Sequence, residues 1–492
     1  MKVSLTLEEA LQYAKNPEYR VLPLSTELLC DDVTPMEVLR RLRKISAHCY
    51  LLESVSGPEA HGRYTFLGYD PKTGISCRNG KIKIGDVTFT TENPARELRR
   101  LMKEYRSPKL GNLPPFTGGL VGYFSYDYFG YQEPRIRTAK DDDAHFQDLD
   151  LMLFDRVIAF DHFRQKLILI ANIRLDEPET EYHKALQTLT QMTELVLHGE
   201  KAAEPESRMT GELTPLFDRE AYCEMVEKAK HYIHEGDIFQ IVLSNRFSAP
   251  FTGSLLNTYR VLRTVNPSPY MFYFSGTDVE VAGASPETLV KLEDGVLHTF
   301  PLAGTRPRGK TDAEDKALEA DLLQDEKELA EHNMLVDLGR NDLGRISRFG
   351  SVEVEKLHEI ERYSHVMHIG STVRGEIRPE CDALDAVGAV LPAGTLSGAP
   401  KIRACQLIGE LEGSKRGIYG GAVGYLSFQG DLDMCIAIRL AYRKGDTVYI
   451  RSGAGIVADS VPEKEYQECI NKAAAVVHAL KEQEALSHDS AD

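Results

Sequence analysis

Ile75-Ser76-Cys77-Arg78-Asn79-Gly80-Lys81-Ile82-Lys83-Ile84 sets two short runs of strand-forming residues on either side of Asn79-Gly80. A two-residue type I′ turn needs positive φ at both central positions, and Asn-Gly supplies this at the least steric cost. The segment predicts a hairpin. Asp294-Gly295 repeats the signal further along.

Outward from these turns, strands read at 48–55, 62–68, 119–126, 149–160, 166–173, 239–247, 271–275 and 279–284. Helices read from Thr34-Pro35-Met36-Glu37, a capping box with Pro at the first helical position, through Lys44. Others read near 179–197, 218–234, 382–391, 401–411 and 463–480, with one long helix over 313–337. Strands that arrive as hairpins form antiparallel sheets, so the class is α+β. Residues 200–215, Lys-Ala-Ala-Glu-Pro-Glu-Ser-Arg-Met-Thr-Gly-Glu-Leu-Thr-Pro and neighbours, have the composition of a linker between parts 1–199 and 216–485, with a tail at 486–492.

Composition narrows the function. A net charge of -17 over 492 residues argues against nucleic-acid binding, which needs clustered Lys and Arg. It allows a small anionic substrate in a local basic pocket. Glu8 and Glu9 interrupt any signal-peptide core, and no apolar run is long enough to span a bilayer, so no membrane is expected and the cytoplasm is the expected compartment. The eight cysteines are scattered without a CxxC pair, which favours reduced, mostly buried thiols.

Gly304-Thr305-Arg306-Pro307-Arg308-Gly309-Lys310-Thr311 matches the P-loop pattern, which would make the chain a nucleotide hydrolase. Pro307 removes a backbone N–H from the supposed phosphate cradle, and Arg306 and Arg308 add bulk where the loop must wrap closely. The match is read as chance.

Other signals gather in the C-terminal half. Glu328 and Glu331 stand i,i+3 on one expected helix, and Glu465 and Glu468 on another. Each pair fits a solvated face, or one carboxylate of each fits a shared hard cation. Gly453-Ala454-Gly455 follows an expected strand and serves either as a turn or as backbone that approaches a carboxylate closely. Arg439, read as mid-strand among apolar neighbours, calls for a partner, either an internal acid or a substrate carboxylate.

Glu331 and Gly453-Ala454-Gly455 fall within a set of segments that resemble the chorismate-utilising enzyme family. The segments are Gly236-Asp237-Ile238-Phe239-Gln240-Ile241-Val242-Leu243-Ser244, Gly283-Ala284-Ser285-Pro286-Glu287 and Pro301-Leu302-Ala303-Gly304-Thr305-Arg306-Pro307-Arg308-Gly309. Next come Glu331-His332-Asn333-Met334-Leu335-Val336-Asp337-Leu338, Tyr363-Ser364-His365-Val366-Met367-His368 and Gly394-Thr395-Leu396-Ser397-Gly398-Ala399-Pro400-Lys401. Tyr419-Gly420-Gly421-Ala422-Val423-Gly424-Tyr425 and Gly453-Ala454-Gly455-Ile456-Val457 complete the set. Leu51-Leu52-Glu53-Ser54 and Gly62-Arg63-Tyr64 extend the likeness into the N-terminal half.

The resemblance implies large antiparallel sheets packed together with helices outside, and a catalytic part at 216–485 behind an N-terminal regulatory part. It implies Mg²⁺ held by Glu331 and Glu468, and a chorismate site built from Gly304, Thr305, Tyr419, Arg439, Gly453, Ala454, Gly455 and Lys472. Glu287, His368, Gln240 and Thr395 are the implied catalytic residues. Glu287 is the acid for the departing C4 hydroxyl, and His368 assists loss of pyruvate. Family members that use water carry a Lys base where this chain has Gln240, and those making aminodeoxychorismate carry a nucleophilic Lys where it has Ala303. The implied reaction is therefore chorismate plus ammonia to anthranilate and pyruvate, the first step toward tryptophan, with aminodeoxychorismate formation as the alternative.

No cysteine stands in Gly-x-Cys-x-Gly, so ammonia is expected from a separate glutamine amidotransferase subunit, in a heterotetramer. Ser54, Pro269, Tyr270 and Met271 match the segments that bind L-tryptophan as an inhibitor in regulated members.

Overall fold

A computed structural model describes residues 2–54, 62–136, 142–362 and 366–488, with side chains through 484. Among these residues, 13 strands make one antiparallel sheet and 12 make a second. The expected hairpins are present. Arg78 pairs Lys81 around Asn79-Gly80, and Glu293 pairs Val296 around Asp294-Gly295, with all four turn residues at positive φ.

The strand Gly119–Phe124 shows how the layers arise. All six of its residues are buried. Val121 and Tyr123 face one way, into a core shared with Tyr50, Phe272 and Tyr442 of the other sheet. Leu120 and Phe124 face the opposite way, into a core with Leu98, Val336 and Leu384 from helices. Side chains alternate along a strand, so a strand covered on both faces must be apolar throughout. The first sheet has the same arrangement. Cys49 and Leu51 pack outward with Leu39, Leu189 and Val476 of three helices, while Tyr50 packs inward. The order of layers is helices, sheet, sheet, helices.

Strands from both sides of 200–215 share each sheet. Cys49–Glu53 pairs with Tyr270–Ser275, and Gly119–Phe124 pairs with Ala422–Ser427. Within 200–215, Arg208–Met209 and Thr214–Pro215 form short strands against Gln240–Thr252.

Two local expectations need correction. The helix expected over 313–337 is two, Asp312–Gln324 and Glu326–Gly344. Asp325 breaks them, with ψ 101° and a side chain that accepts from the N–H groups of Lys327 and Glu328. At Thr34 only half of the capping box forms: Thr34 accepts from Glu37 N–H, while Glu37 turns to Arg41 and Lys201. The eight cysteines are free thiols, five of them buried. Among the described residues, no helix is long and apolar enough to cross a membrane.

Candidate active site

Two of the places where the chain crosses between the sheets are neighbours. Glu280–Ser285 lies in the first sheet and Thr288–Glu293 in the second; Leu432–Ile436 lies in the second and Leu440–Lys444 in the first. Glu287 and Arg439 occupy these crossings. Ile436 N–H donates to the Glu287 carbonyl at 2.9 Å, and Ala284 N–H donates to that of Arg439 at 3.0 Å. Arg439 is therefore not mid-strand. Its φ of +52° marks a corner, which the continuous apolar run from 436 to 441 conceals.

Both residues open onto a cavity of about 680 Å³. Gln240, Glu287, His368 and Thr395 line it, as do Gly304, Thr305, Tyr419, Arg439, Gly453, Gly455 and Lys472. Glu331 and Glu468 enter it from two helices, each with its i,i+3 neighbour, Glu328 and Glu465. Ala454 lies elsewhere, buried on the opposite face of its strand with Leu243, Ile456 and Cys469. The glycines flanking it are inside the strand Thr447–Ile456, not after it as a turn. A Cβ at Gly453 would stand 2.9 Å from the Tyr419 hydroxyl, and one at Gly455 2.9 Å from the Gln240 amide nitrogen. The glycines keep these polar tips close to bare backbone. Tyr363, Ser364 and His365 of the matching motif lie outside the described residues, as do 489–492 of the tail.

Burial pushes the Glu287 carboxyl up to about 8; the Thr395 hydrogen bond, Arg439 and Lys472 oppose this and do not cancel it. Thr395 Oγ1 donates to its two oxygens at 3.2 and 3.3 Å. Glu287 is thus protonated at neutral pH, the state a general acid needs. His368 behaves conversely. Burial lowers its pKa, and Nδ1 lies 2.9 Å from the Gly304 carbonyl and 3.0 Å from Thr305 Oγ1. A carbonyl can only accept, so Nδ1 carries the proton and the neutral ring's basic nitrogen is Nε2.

Burial, then Glu331, raises the Glu328 carboxyl; burial and Glu468 raise that of Glu465. Within each pair the two carboxylates repel each other, a frustration that a divalent cation relieves. Among the described residues, no three acidic, His or Cys groups converge into a ready-made metal cage. The donor set still fits Mg²⁺, which keeps several waters and takes one or two carboxylates. Lys472 holds Glu468 at 2.6 Å.

The P-loop reading fails on geometry. Gly304 to Pro307 lie in the strand Leu302–Pro307, paired with Val366–Glu376. The N–H groups of Gly309 and Lys310 donate to Asp315 and Glu314 at 2.8 Å each, so carboxylates already fill the place of the phosphate.

Cavity residues that sequence reasoning passed over include Lys327, Arg451, Asp459 and Lys464. Arg451 carried a usable signal, an arginine within the strand run Val448-Tyr449-Ile450-Arg451. Lys327 and Lys464, in the first turns of two helices, and Asp459 carried none.

A second cavity, about 120 Å³, lies where Cys49–Glu53 meets Tyr270–Ser275, with Met271 opposite Glu53. Ser54, Pro269, Tyr270 and Met271 all line it, joined by Phe66, Lys291 and Tyr425. Tyr270 donates to Asp433 at 2.8 Å and lies 2.9 Å from the Thr288 hydroxyl. The sequence pattern did not indicate Phe66 or Tyr425, because their place on this wall depends on the packing of the two sheets.

Residues 26–478 match the family described as chorismate binding enzyme. The chain is 44% identical to anthranilate synthase component 1 of Acetivibrio thermocellus, over 97% of this chain and 98% of that one. It is 46% identical to the same component of Aquifex aeolicus, over 98% of each. A crystal structure of anthranilate synthase component I from Streptococcus pneumoniae superposes with a TM-score of 0.75 at 38% identity, covering 91% of this chain and 98% of that one.

Proposed function

Since the chain belongs to the chorismate-binding enzyme family, we propose that it is the large subunit of an anthranilate synthase, converting chorismate and ammonia to anthranilate and pyruvate at the 680 Å³ cavity. The observation that carries this reading over other family chemistries is the presence of both Gln240 and Ala303 on the cavity wall. A neutral amide does not deprotonate water, and a methyl group forms no covalent adduct. Ammonia needs neither, being nucleophilic unaided.

In this mechanism Arg439 and Tyr419 hold the enolpyruvyl carboxylate, with Gly304, Thr305, the Gly453–Gly455 backbone and Lys472 around the rest of the substrate. Glu331 and Glu468 would hold Mg²⁺, which when bound would supply positive charge against the ring carboxylate. Ammonia bonds to C2, the ring double bonds shift toward C4, and Glu287 gives its proton to the C4 hydroxyl, which leaves as water; the new ammonium then loses a proton, which restores the acid. His368 then takes the C2 proton as the C3–O bond breaks and the ring becomes aromatic, and the released enolpyruvate takes up a proton at its methylene carbon to become pyruvate. A protonated acid and a neutral imidazole in one cavity are the pair that these two steps require.

Ammonia is supplied by a glutamine amidotransferase partner in a heterotetramer. The purified chain with chorismate, Mg²⁺ and ammonium salts is expected to release anthranilate, read by its fluorescence. With glutamine in place of ammonium it is expected to stay inactive until the partner is added. Efficient glutamine use by the chain alone would refute the assignment of roles, and a different aromatic product would refute the activity.

The smaller cavity is proposed as an L-tryptophan feedback site, with Ser54 and the Pro269–Met271 backbone at the amino-acid head group and apolar walls for the indole. Inhibition requires that tryptophan and chorismate favour different packings of the chain. The protein contains no tryptophan, so binding can be followed by the ligand's own fluorescence. Ser54→Phe should fill the cavity and raise the inhibitory concentration at least about tenfold, a loss of about 1.4 kcal/mol of binding, with uninhibited turnover little changed. Saturating tryptophan without effect on the unmodified enzyme would end the proposal.

A further inference from the structure

Arg416 follows the helix Lys401–Glu412 and is 2% exposed. Its planar fork reaches three separate parts of the chain. Nε and one terminal nitrogen donate to Glu412 at 3.0 and 2.5 Å. The other terminal nitrogen donates to the Leu396 carbonyl at 2.6 Å, and the first also donates to the Val242 carbonyl at 2.6 Å. Its guanidinium carbon lies 4.5 Å from the Tyr126 ring centre and 5.9 Å from that of Tyr419. Val242, Leu396 and Tyr419 all line the catalytic cavity.

Stability alone does not account for such a group. Burying an Arg–Glu pair costs desolvation that its attraction rarely exceeds, and apolar replacements are often neutral or stabilising. Glu412 already has a second buried arginine, Arg451, at 2.8 Å. Arg416 is therefore not needed to neutralise Glu412. Arg416 ties the carbonyl of Leu396 to the strand behind it, next to the bond that the Val242 N–H donates to the Ser397 carbonyl at 2.9 Å. The Leu396 carbonyl ends the short turn Gly394–Leu396, whose middle residue, Thr395, donates to Glu287.

We propose that Arg416 is a positioning residue for the proton-donation step, holding the Gly394–Leu396 turn so that the Thr395 hydroxyl stays on Glu287. This rests on the reading of Glu287 as the acid, and the experiment separates the two. Thr395 donates to the carboxylate form, so losing its hydroxyl should favour the protonated form and carry the alkaline limb of activity to higher pH. The charged groups that bear on Glu287 are Arg439 and Lys472, which the variants leave in place.

The test is the pH dependence of kcat/KM for chorismate at constant free ammonia, in the wild type, Arg416→Met, Arg416→Lys, Thr395→Val and each double variant. Arg416→Met leaves Glu412 and Arg451 as a one-to-one pair of charges; Arg416→Lys keeps the charge and loses the fork. Cooperative thermal unfolding checks each fold, and the lysine variant alone suffices if the methionine variant fails. Both are expected to lose about tenfold or more in kcat through misplacement of the turn, and to move the alkaline limb upward. Thr395→Val should move it likewise, and adding an Arg416 substitution to Thr395→Val should move it no further. A limb that stays at its wild-type position in folded Arg416 variants overturns the proposal whatever their rate, as does a full additional shift in the double variants. A wild type with no alkaline limb overturns the reading of Glu287 instead.

Discussion

Glu287→Gln is expected to bind chorismate with nearly unchanged affinity and to turn it over about 10²–10⁴-fold more slowly, the usual cost of removing a general acid. The amide keeps the shape of the side chain and can still receive the Thr395 hydrogen bond, but it has no proton to give. The pH profile supplies a second check. Burial holds the Glu287 carboxyl up to about 8, so the active, protonated form predominates below that pH and is lost as pH rises through it. At constant free ammonia, wild-type activity should fall on that alkaline side, and the residual activity of Glu287→Gln should not. Weakened chorismate binding with unchanged turnover would remove Glu287 from the acid role and make it a binding group.

Glu331→Gln and Glu468→Gln should each come close to abolishing turnover when Mg²⁺ is limiting. An amide oxygen is a poor ligand for a hard cation, and with one or two protein carboxylates in the site neither is dispensable. The loss should exceed the roughly 10–100-fold that removing an outer partner of a ligand costs. Excess Mg²⁺ should restore part of the rate, since the defect lies in occupancy. Calorimetric titration of Mg²⁺ into each variant gives a readout independent of activity. Near wild-type turnover at limiting metal in either variant would disprove the assignment. Glu468→Gln should also release Lys472, which Glu468 holds at 2.6 Å, so its effect on chorismate binding should be the larger of the two.

How far the site could be read in advance depended on what each residue's position rests upon. Asn79-Gly80 and Asp294-Gly295 fix their hairpins locally, because the turn geometry is a property of the dipeptide. Glu328 and Glu331 are brought to one face by helical spacing alone, and the helix is there. Arg439 reads as mid-strand because the apolar residues on both sides of it run on without a turn signal, while the chain turns a corner between sheets. No local pattern distinguishes a strand that stays in its sheet from one that leaves it. The break at Asp325 was missed for the opposite reason: an acid that caps the following helix looks, in a run of acids and apolar residues, like one more turn. Arg416 was invisible as a functional candidate, since its importance comes from carbonyls at 242 and 396, far away in the chain.

The sharing of strands between the two halves bears on how the protein is made. Gly119–Phe124 leaves the ribosome about 300 residues before its partner Ala422–Ser427. At a synthesis rate of about 5–20 residues per second, its edge waits roughly 15–60 s for a neighbour. Cys49–Glu53 waits similarly for Tyr270–Ser275. Throughout that interval the nascent chain presents apolar strand edges able to pair with other chains. The early half cannot settle before the late half arrives, so the yield of this enzyme in a cell depends on whatever shields those edges during translation.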